Sequence, residues 1–200
     1  MTRDEATVMA TQVSFLTAVI VASLVAAEGC AGHAASQTRP TGQGAVVPFR
    51  MPPTPIEFEL DARVWHEQNV GASTNPEVVG ARSFVRDKAS STAQCPADLV
   101  VIGERLPAGV DVAHFSAAKR FGMPPATIES VFGWQDGSIQ LVNAVGYRLR
   151  GNFGCEPLAY MVHAVEGSYG ISIIIEVDPQ EYRLIEPEIL AILRSFRVPG

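Results

Sequence analysis

From Ile56 onward, apolar and polar side chains alternate in short runs, the two-residue period of strands that bury one face. Ile56-Glu57-Phe58-Glu59-Leu60 is the cleanest run, and Val64-Trp65-His66-Glu67 predicts a second short strand. Gly71 to Pro76 reads as a polar loop, after which Ala81 to Arg86 alternates around Phe84. Leu99-Val100-Val101-Ile102 is rich in β-branched residues and is bounded by Cys95-Pro96 and by Leu106-Pro107-Ala108-Gly109. That is the pattern of a central strand and its exit turn.

The period then changes. Asp111 is a helix cap candidate, and Val112, Phe115, Ala118 and Lys119 carry helical spacing to Phe121, where Gly122 ends it. Ile128 to Trp134 and Ile139 to Leu149 predict a hairpin around Gln135-Asp136-Gly137-Ser138, since Asp-Gly favours a tight turn. Leu158 to Val165 and Ser168 to Val177 predict another, around Glu166-Gly167, with Ile171, Ile173 and Ile175 on one face and Ile174 on the other. A terminal helix is expected with Pro187 in its first turn and Ile189, Leu190, Leu193 and Phe196 along one stripe. Arg194 and Arg197 complement the dipole at its end. Hairpin connections imply a mostly antiparallel sheet with helices packed on it, an α+β fold.

Ahead of this domain stands an apolar run, Val13 to Ala27, that ends near Gly29-Cys30. About 15 residues suit the core of a signal peptide better than a membrane span of about 20. Met1 and Met9 both stand as possible starts, the second leading straight into the apolar run. Leu24-Val25-Ala26-Ala27-Glu28-Gly29-Cys30 resembles a bacterial lipoprotein signal, in which the cysteine becomes the lipidated first residue. Cleavage at Val25-Ala26-Ala27 and an uncleaved anchor helix are the other readings. The expected organisation is a signal peptide over 1–29, a lipidated Cys30 with a flexible linker over 30–55, and one globular domain over 56–200. The linker stretch is rich in Gly, Ser, Thr, Gln and Pro and buries too little to offset its ordering entropy. A membrane is thus an expected partner, through the lipid.

Composition narrows the function. The chain has 200 residues, 47% hydrophobic, and a net charge of −6. Acidity without any basic cluster excludes nucleic acid as the expected partner. Of three cysteines, Cys95 and Cys155 remain for the exported domain and are expected to form a disulfide. Two unpaired buried thiols are the alternative. No metal site is expected, because His114 and His163 stand singly and no Cys or His pair has ligand spacing.

Two segments carry a family likeness. Leu99-Val100-Val101-Ile102-Gly103-Glu104-Arg105-Leu106-Pro107-Ala108-Gly109 resembles the middle of DcrB-like proteins. Ile192-Leu193-Arg194-Ser195-Phe196-Arg197 resembles their C-terminus. That group shares the PsbP-like α/β/α sandwich and includes envelope lipoproteins and the cytosolic Eag-type chaperones of secretion effectors. The resemblance implies a non-catalytic module that binds or scaffolds other proteins. The export signal and the cysteine pair depart from the chaperone branch.

No enzyme signature is present: no Gly-x-Ser-x-Gly, P-loop, Gly-x-Gly-x-x-Gly or His-Glu-x-x-His. No catalytic residue and no cofactor are therefore expected. Ser168 reads as a hairpin-turn residue, His163 as a strand residue in the core, and His114 as a solvated helix residue. Hydrolysis would require His163, Asp136 and Ser168 to converge. Trp65 and Trp134 stand near turns and are the candidate partner-binding anchors, since a large rigid ring buries much area at little entropy cost; core packing is the competing role. The expected function is an exported, lipid-anchored envelope module that binds a protein partner. The alternatives are a small-molecule or lipid carrier, or an effector chaperone if the leader is retained.

Overall fold

The computed structural model describes residues 46–121, 123, 125–153 and 156–199. The leader, Cys30 and Cys155 lie outside them. Among the described residues, the chain forms nine strands and two α-helices. Seven strands make one sheet: β3 (Trp65–Gln68), β4 (Val78–Arg86), β5 (Asp98–Arg105), β6 (Ala126–Gly133), β7 (Ala144–Phe153), β8 (Glu156–Glu166) and β9 (Tyr169–Val177). Their order is β3-β4-β5-β9-β8-β7-β6, antiparallel throughout. The expected fold class, a mostly antiparallel sheet with helices packed on it, holds.

Register fixes which side chains share a face. Leu99, Ile175 and Tyr160 stand opposite one another across β5, β9 and β8, as do Val101, Ile173 and Val162. These rows meet helix α2 (Pro179–Ser195), whose Ile185, Ile189, Ile192 and Leu193 are buried in the same cluster. Val100, Ile174 and Met161 form a row on the opposite face. There helix α1 (Val112–Phe121) packs on β7 and β8. The layers are therefore α2, sheet, α1. Ile171, Ile173 and Ile175 lie on the α2 face and Ile174 on the other, as the alternation predicts. Gly167, at φ +62°, makes the β8–β9 turn.

Three expectations need correction. The linker does not run to Pro55: Val46–Arg50 is strand β1, paired with β2 (Glu57–Asp61) as a separate two-stranded sheet. Its partners are distant in sequence. Phe49 lies edge-on to Phe84, and Phe58 stacks on Phe196 at 4.7 Å. Such contacts leave no local signal in a Pro-containing pentapeptide. Second, Ile139 to Asn143 are not strand. A 3-10 turn over Trp134–Asp136 and an irregular stretch carry the chain to β7, and Ile139 and Leu141 enter the core from it.

Third, the last helix starts before Pro187. Asp178 caps it, accepting from the Gln180 N–H at 2.8 Å, and Pro179 takes the first position. Pro187 sits inside the helix, exposed, on the same side as exposed Arg183. Pro187 has no N–H to donate to the Arg183 carbonyl, so the break in the helical ladder falls on the exposed side.

Candidate functional site

The α2 face does not close fully at the β6 edge. A cleft of about 170 Å³ opens there, lined by Ser130, Phe132, Ser138, Arg148, Tyr160, Glu186 and Leu190. β6 and β7 supply one wall and α2 the other. The walls are joined by a polar chain. Glu129 Oε2 accepts from Arg148 Nε at 2.9 Å and its Oε1 from Arg150 Nε at 2.5 Å. Arg150, foremost, holds the Glu129 carboxyl below its ordinary value. Arg148 Nη1 donates to Tyr182 OH at 3.1 Å, Tyr160 OH donates to the same oxygen at 3.2 Å, and Tyr182 OH donates to Glu186. Burial, then the hydrogen bond to Glu186, pushes the Tyr182 phenol well above the ordinary tyrosine value.

The charged groups of the cleft thus neutralise one another. Arg148 and Arg150 pair with Glu129, and Glu186, which accepts from the neutral Tyr182 phenol, supplies the second negative charge. The cleft lining sets two apolar side chains, Phe132 and Leu190, among the hydroxyls of Ser130, Ser138 and Tyr160 and the side chains of Arg148 and Glu186. Its volume is below the roughly 300–1,000 Å³ of ordinary small-molecule sites and suits one inserted side chain.

Trp134 stands beside this cleft. Its 3-10 turn runs between the lining residues Phe132 and Ser138, and its ring is 53% exposed. The turn is braced by Asp136, which accepts from Ser138 N at 2.9 Å and Gly133 N at 3.3 Å, and by Gly137 at φ +74°. The braced turn fixes the backbone that carries the indole, so binding through it has only the side chain left to order.

Trp65 does not share this role. It is 2% exposed, and its indole donates to Glu188 Oε1 at 2.6 Å. It is a core residue, because β3 turns it inward against α2. Cys95 lies in the loop before β5.

His163 is 1% exposed and lies under α1. Its Nδ1 and Ser116 Oγ share a hydrogen bond of 2.9 Å, and Ser116 Oγ and Tyr147 OH another of 3.0 Å. Burial, then the nearby Lys119 and Arg120, lowers the imidazole to about 4. It is neutral at neutral pH and sealed from substrate. Asp136 and Ser168 have other partners: Asp136 braces its turn, and the Ser168 carbonyl accepts from Leu106 N. The three residues named for hydrolysis do not share a hydrogen-bond network. His114, by contrast, is 80% exposed and pairs with Asp111, as a solvated helix residue does.

Sequence reasoning missed Arg148, Tyr160, Tyr182 and Glu186. Arg148-Leu149-Arg150 did carry a legible sign, two cations on one strand face. The α2 half was hidden once the helix was begun eight residues late, at Pro187.

No family model matches the chain, and a search of curated proteins finds no match. Solved structures do resemble it. The solution structure of cyanobacterial PsbP (CyanoP) from Synechocystis sp. PCC 6803 superposes with a TM-score of 0.54 at 14% identity, over 82% of this chain and 99% of that one. A protein of unknown function from Pseudomonas aeruginosa, PA94, superposes with a TM-score of 0.50 at 13% identity, over 78% of this chain and 99% of that one. At such identities the likeness is one of fold alone, and the fold of this chain is PsbP-like.

Proposed function

We propose that this protein is an exported, lipid-anchored bacterial envelope module of the DcrB-like type that binds a protein partner and carries out no catalysis. Trp134 carries the reading: a half-exposed indole on a braced turn beside a small cleft lined by Phe132, Leu190 and polar groups. Rigid aromatic anchors paired with side-chain-sized pockets are the usual hot spots of protein interfaces. The chain's cleft volume supports this over a carrier of lipids or cofactors. A second depression, about 450 Å³, mixes Leu141, Val142 and Val198 with Gln140, Asn143, Glu166 and Arg197, and the two charged residues disfavour an acyl chain.

Cys30 is the anchor in this reading, and Cys95–Cys155 the staple. Register supports the staple. Asp98 pairs with Glu176 and Leu158 pairs with Val177, so the β5 and β8 starts lie at one end of the sheet, one strand apart. Each cysteine precedes its paired residue by three positions.

The test is a photo-crosslinking residue at position 134 of the full-length protein in living bacterial cells. Discrete protein adducts at 134, absent with the same probe at exposed position 114, are expected. Equal, diffuse labelling at both positions overturns the reading. The intact mass of protein recovered from membranes tests the anchor: a start at Cys30 with added acyl mass is expected, and an unprocessed chain removes the envelope assignment.

A further inference from the structure

On the α1 face the seven strands have uneven cover. α1 lies over β7 and β8 and reaches across β9 to the end of β5. Lys119 pairs there with buried Glu104, and the Phe115 ring lies against Gly170. The rest of this face is left open by both helices. Its rows, read from the register, are Ala81 and Ile102; Ser83, Val100 and Ile174; then Val85, Asp98 and Glu176. All are half-buried rather than buried.

A carboxylate stands within this apolar strip. Asp98 makes no hydrogen bond or ion pair among the described residues, and burial alone raises its carboxyl to about 6. Glu176 is directly opposite it in the ladder.

We propose that this strip, across β4, β5 and β9, docks a cationic amphipathic helix of a partner protein, which lies beside α1 and completes the outer layer. The proposal rests on the reading of the protein as a protein-binding module and states what kind of partner it takes. α1 shows the form of the occupant: a short helix that sets apolar side chains on the sheet and a lysine on a sheet carboxylate. The open strip repeats that composition, with Val100, Ile102 and Ile174 for the apolar contact and Asp98 for the cation. Its width matches, since three strands about 4.8 Å apart span about 10 Å, the diameter of one helix. Charge selects among occupants. An anionic lipid surface is repelled by Asp98. A second copy set face to face would bring this acid against its own counterpart.

The test uses the full-length protein and two synthetic helical peptides of about 18 residues, one Leu/Lys and the other Leu/Glu. The Leu/Lys peptide is expected to bind, shifting amide resonances of β4, β5 and β9, while the Leu/Glu peptide does not. Asp98→Asn, which keeps shape and removes charge, is expected to weaken that binding on the order of tenfold. Equal binding of both peptides, unchanged affinity in Asp98→Asn, or shifts confined to the β6–α2 cleft overturns the proposal. So does self-association in sedimentation that Ile102→Asp abolishes. Crosslinking at position 134 separates the two readings. If adducts at position 134 persist while the Leu/Lys peptide fails to bind, this inference falls and the module reading stands.

Discussion

Trp65 Nε1 donates to Glu188 Oε1 at 2.6 Å, tying the edge strand β3 to the middle of α2. The same carboxylate receives the Arg86 guanidinium, Nη2 at 2.9 Å, and Arg86 stands opposite Trp65 in the ladder. One acid thus closes two donors at the rim of the core. Glu188→Ala leaves both without it, the indole fully buried, and is expected to cost about 2–4 kcal/mol. Trp65→Phe removes one donor and leaves the Arg86 pair, and is expected to cost about 1–2 kcal/mol. Urea unfolding of both variants checks the order. Trp134→Ala, at a half-exposed site, is expected to leave the midpoint within about 0.5 kcal/mol of wild type.

Asp98 makes a pH-dependent stability term of unusual sign for a carboxylate. Its carboxyl is raised by burial from 3.8 to about 6 in the folded state. The folded protein therefore holds the proton more tightly than the unfolded chain. The stabilisation from protonation is complete below about pH 4 and is lost as pH rises through about 6. Asp98→Asn is expected to be more stable than wild type at pH 8, with the gap closing toward pH 4. Unfolding midpoints measured across that range decide it, and a gap constant with pH refutes the assignment.

His163 works in the opposite direction. Its imidazole is lowered from 6.5 to about 4, chiefly by burial. Neutral histidine is favoured in the folded state, so its contribution is present above pH 6.5 and is lost as pH falls toward 4. The loss is on the order of 3 kcal/mol when complete. Charging it would place a cation beside Ser116, Tyr147, Lys119 and Arg120 under α1, with Glu104 on Lys119 as the acid in reach. Because Asp98 titrates in the same window, the measurement belongs in Asp98→Asn. There, stability is expected to fall steadily from pH 6.5 to 4.5, and His163→Gln to flatten the fall.

What was legible in the sequence followed from local period. The Ile171-Ile173-Ile175 alternation, the Asp111 cap and the Gly167 turn all rest on neighbours within a few residues, and each lies where it was expected. β1 was not legible, because its Phe49 is ordered by stacking on Phe58 across a Pro-rich turn and by Phe84, which is distant in sequence. Trp65 and Trp134 looked alike as residues near turns. Only the sheet order, which folds β3 against α2 and leaves the β6–β7 connection outside, separates them. The cleft combines β6, β7 and α2, elements up to about sixty positions apart, so its Arg148–Tyr182–Glu186 chain had no motif to announce it.

The proposed staple carries its own prediction. Closing a loop of about 60 residues is worth about 4 kcal/mol in the chain-entropy model. Cys95→Ser with Cys155→Ser, or reduction of the wild type, is expected to lower stability by roughly that amount. Reduced and oxidised protein unfolding at the same urea concentration would remove the pairing.

The docking of α1 hangs on one close approach. Gly170 on β9 lies under Phe115, and a Cβ there would stand 2.6 Å from Phe115 Cζ and 2.7 Å from Cε2. No real Cβ tolerates that distance, so Gly170→Ala must push the ring, and with it α1, off the sheet. Overpacking of this kind costs about 1–3 kcal/mol. It also pulls Ser116 from His163, since both α1 residues sit on the same helix face. The expected signature is faster amide exchange across α1 with β8 and β9 still protected, and a His163 titration moved back toward 6.5 as water enters. Phe115→Leu in the Gly170→Ala background makes room for the new methyl and is expected to restore part of the exchange protection. If Gly170→Ala alone leaves α1 as protected as wild type, the helix is not held by this contact, and the Ser116–His163 hydrogen bond would have to hold it instead.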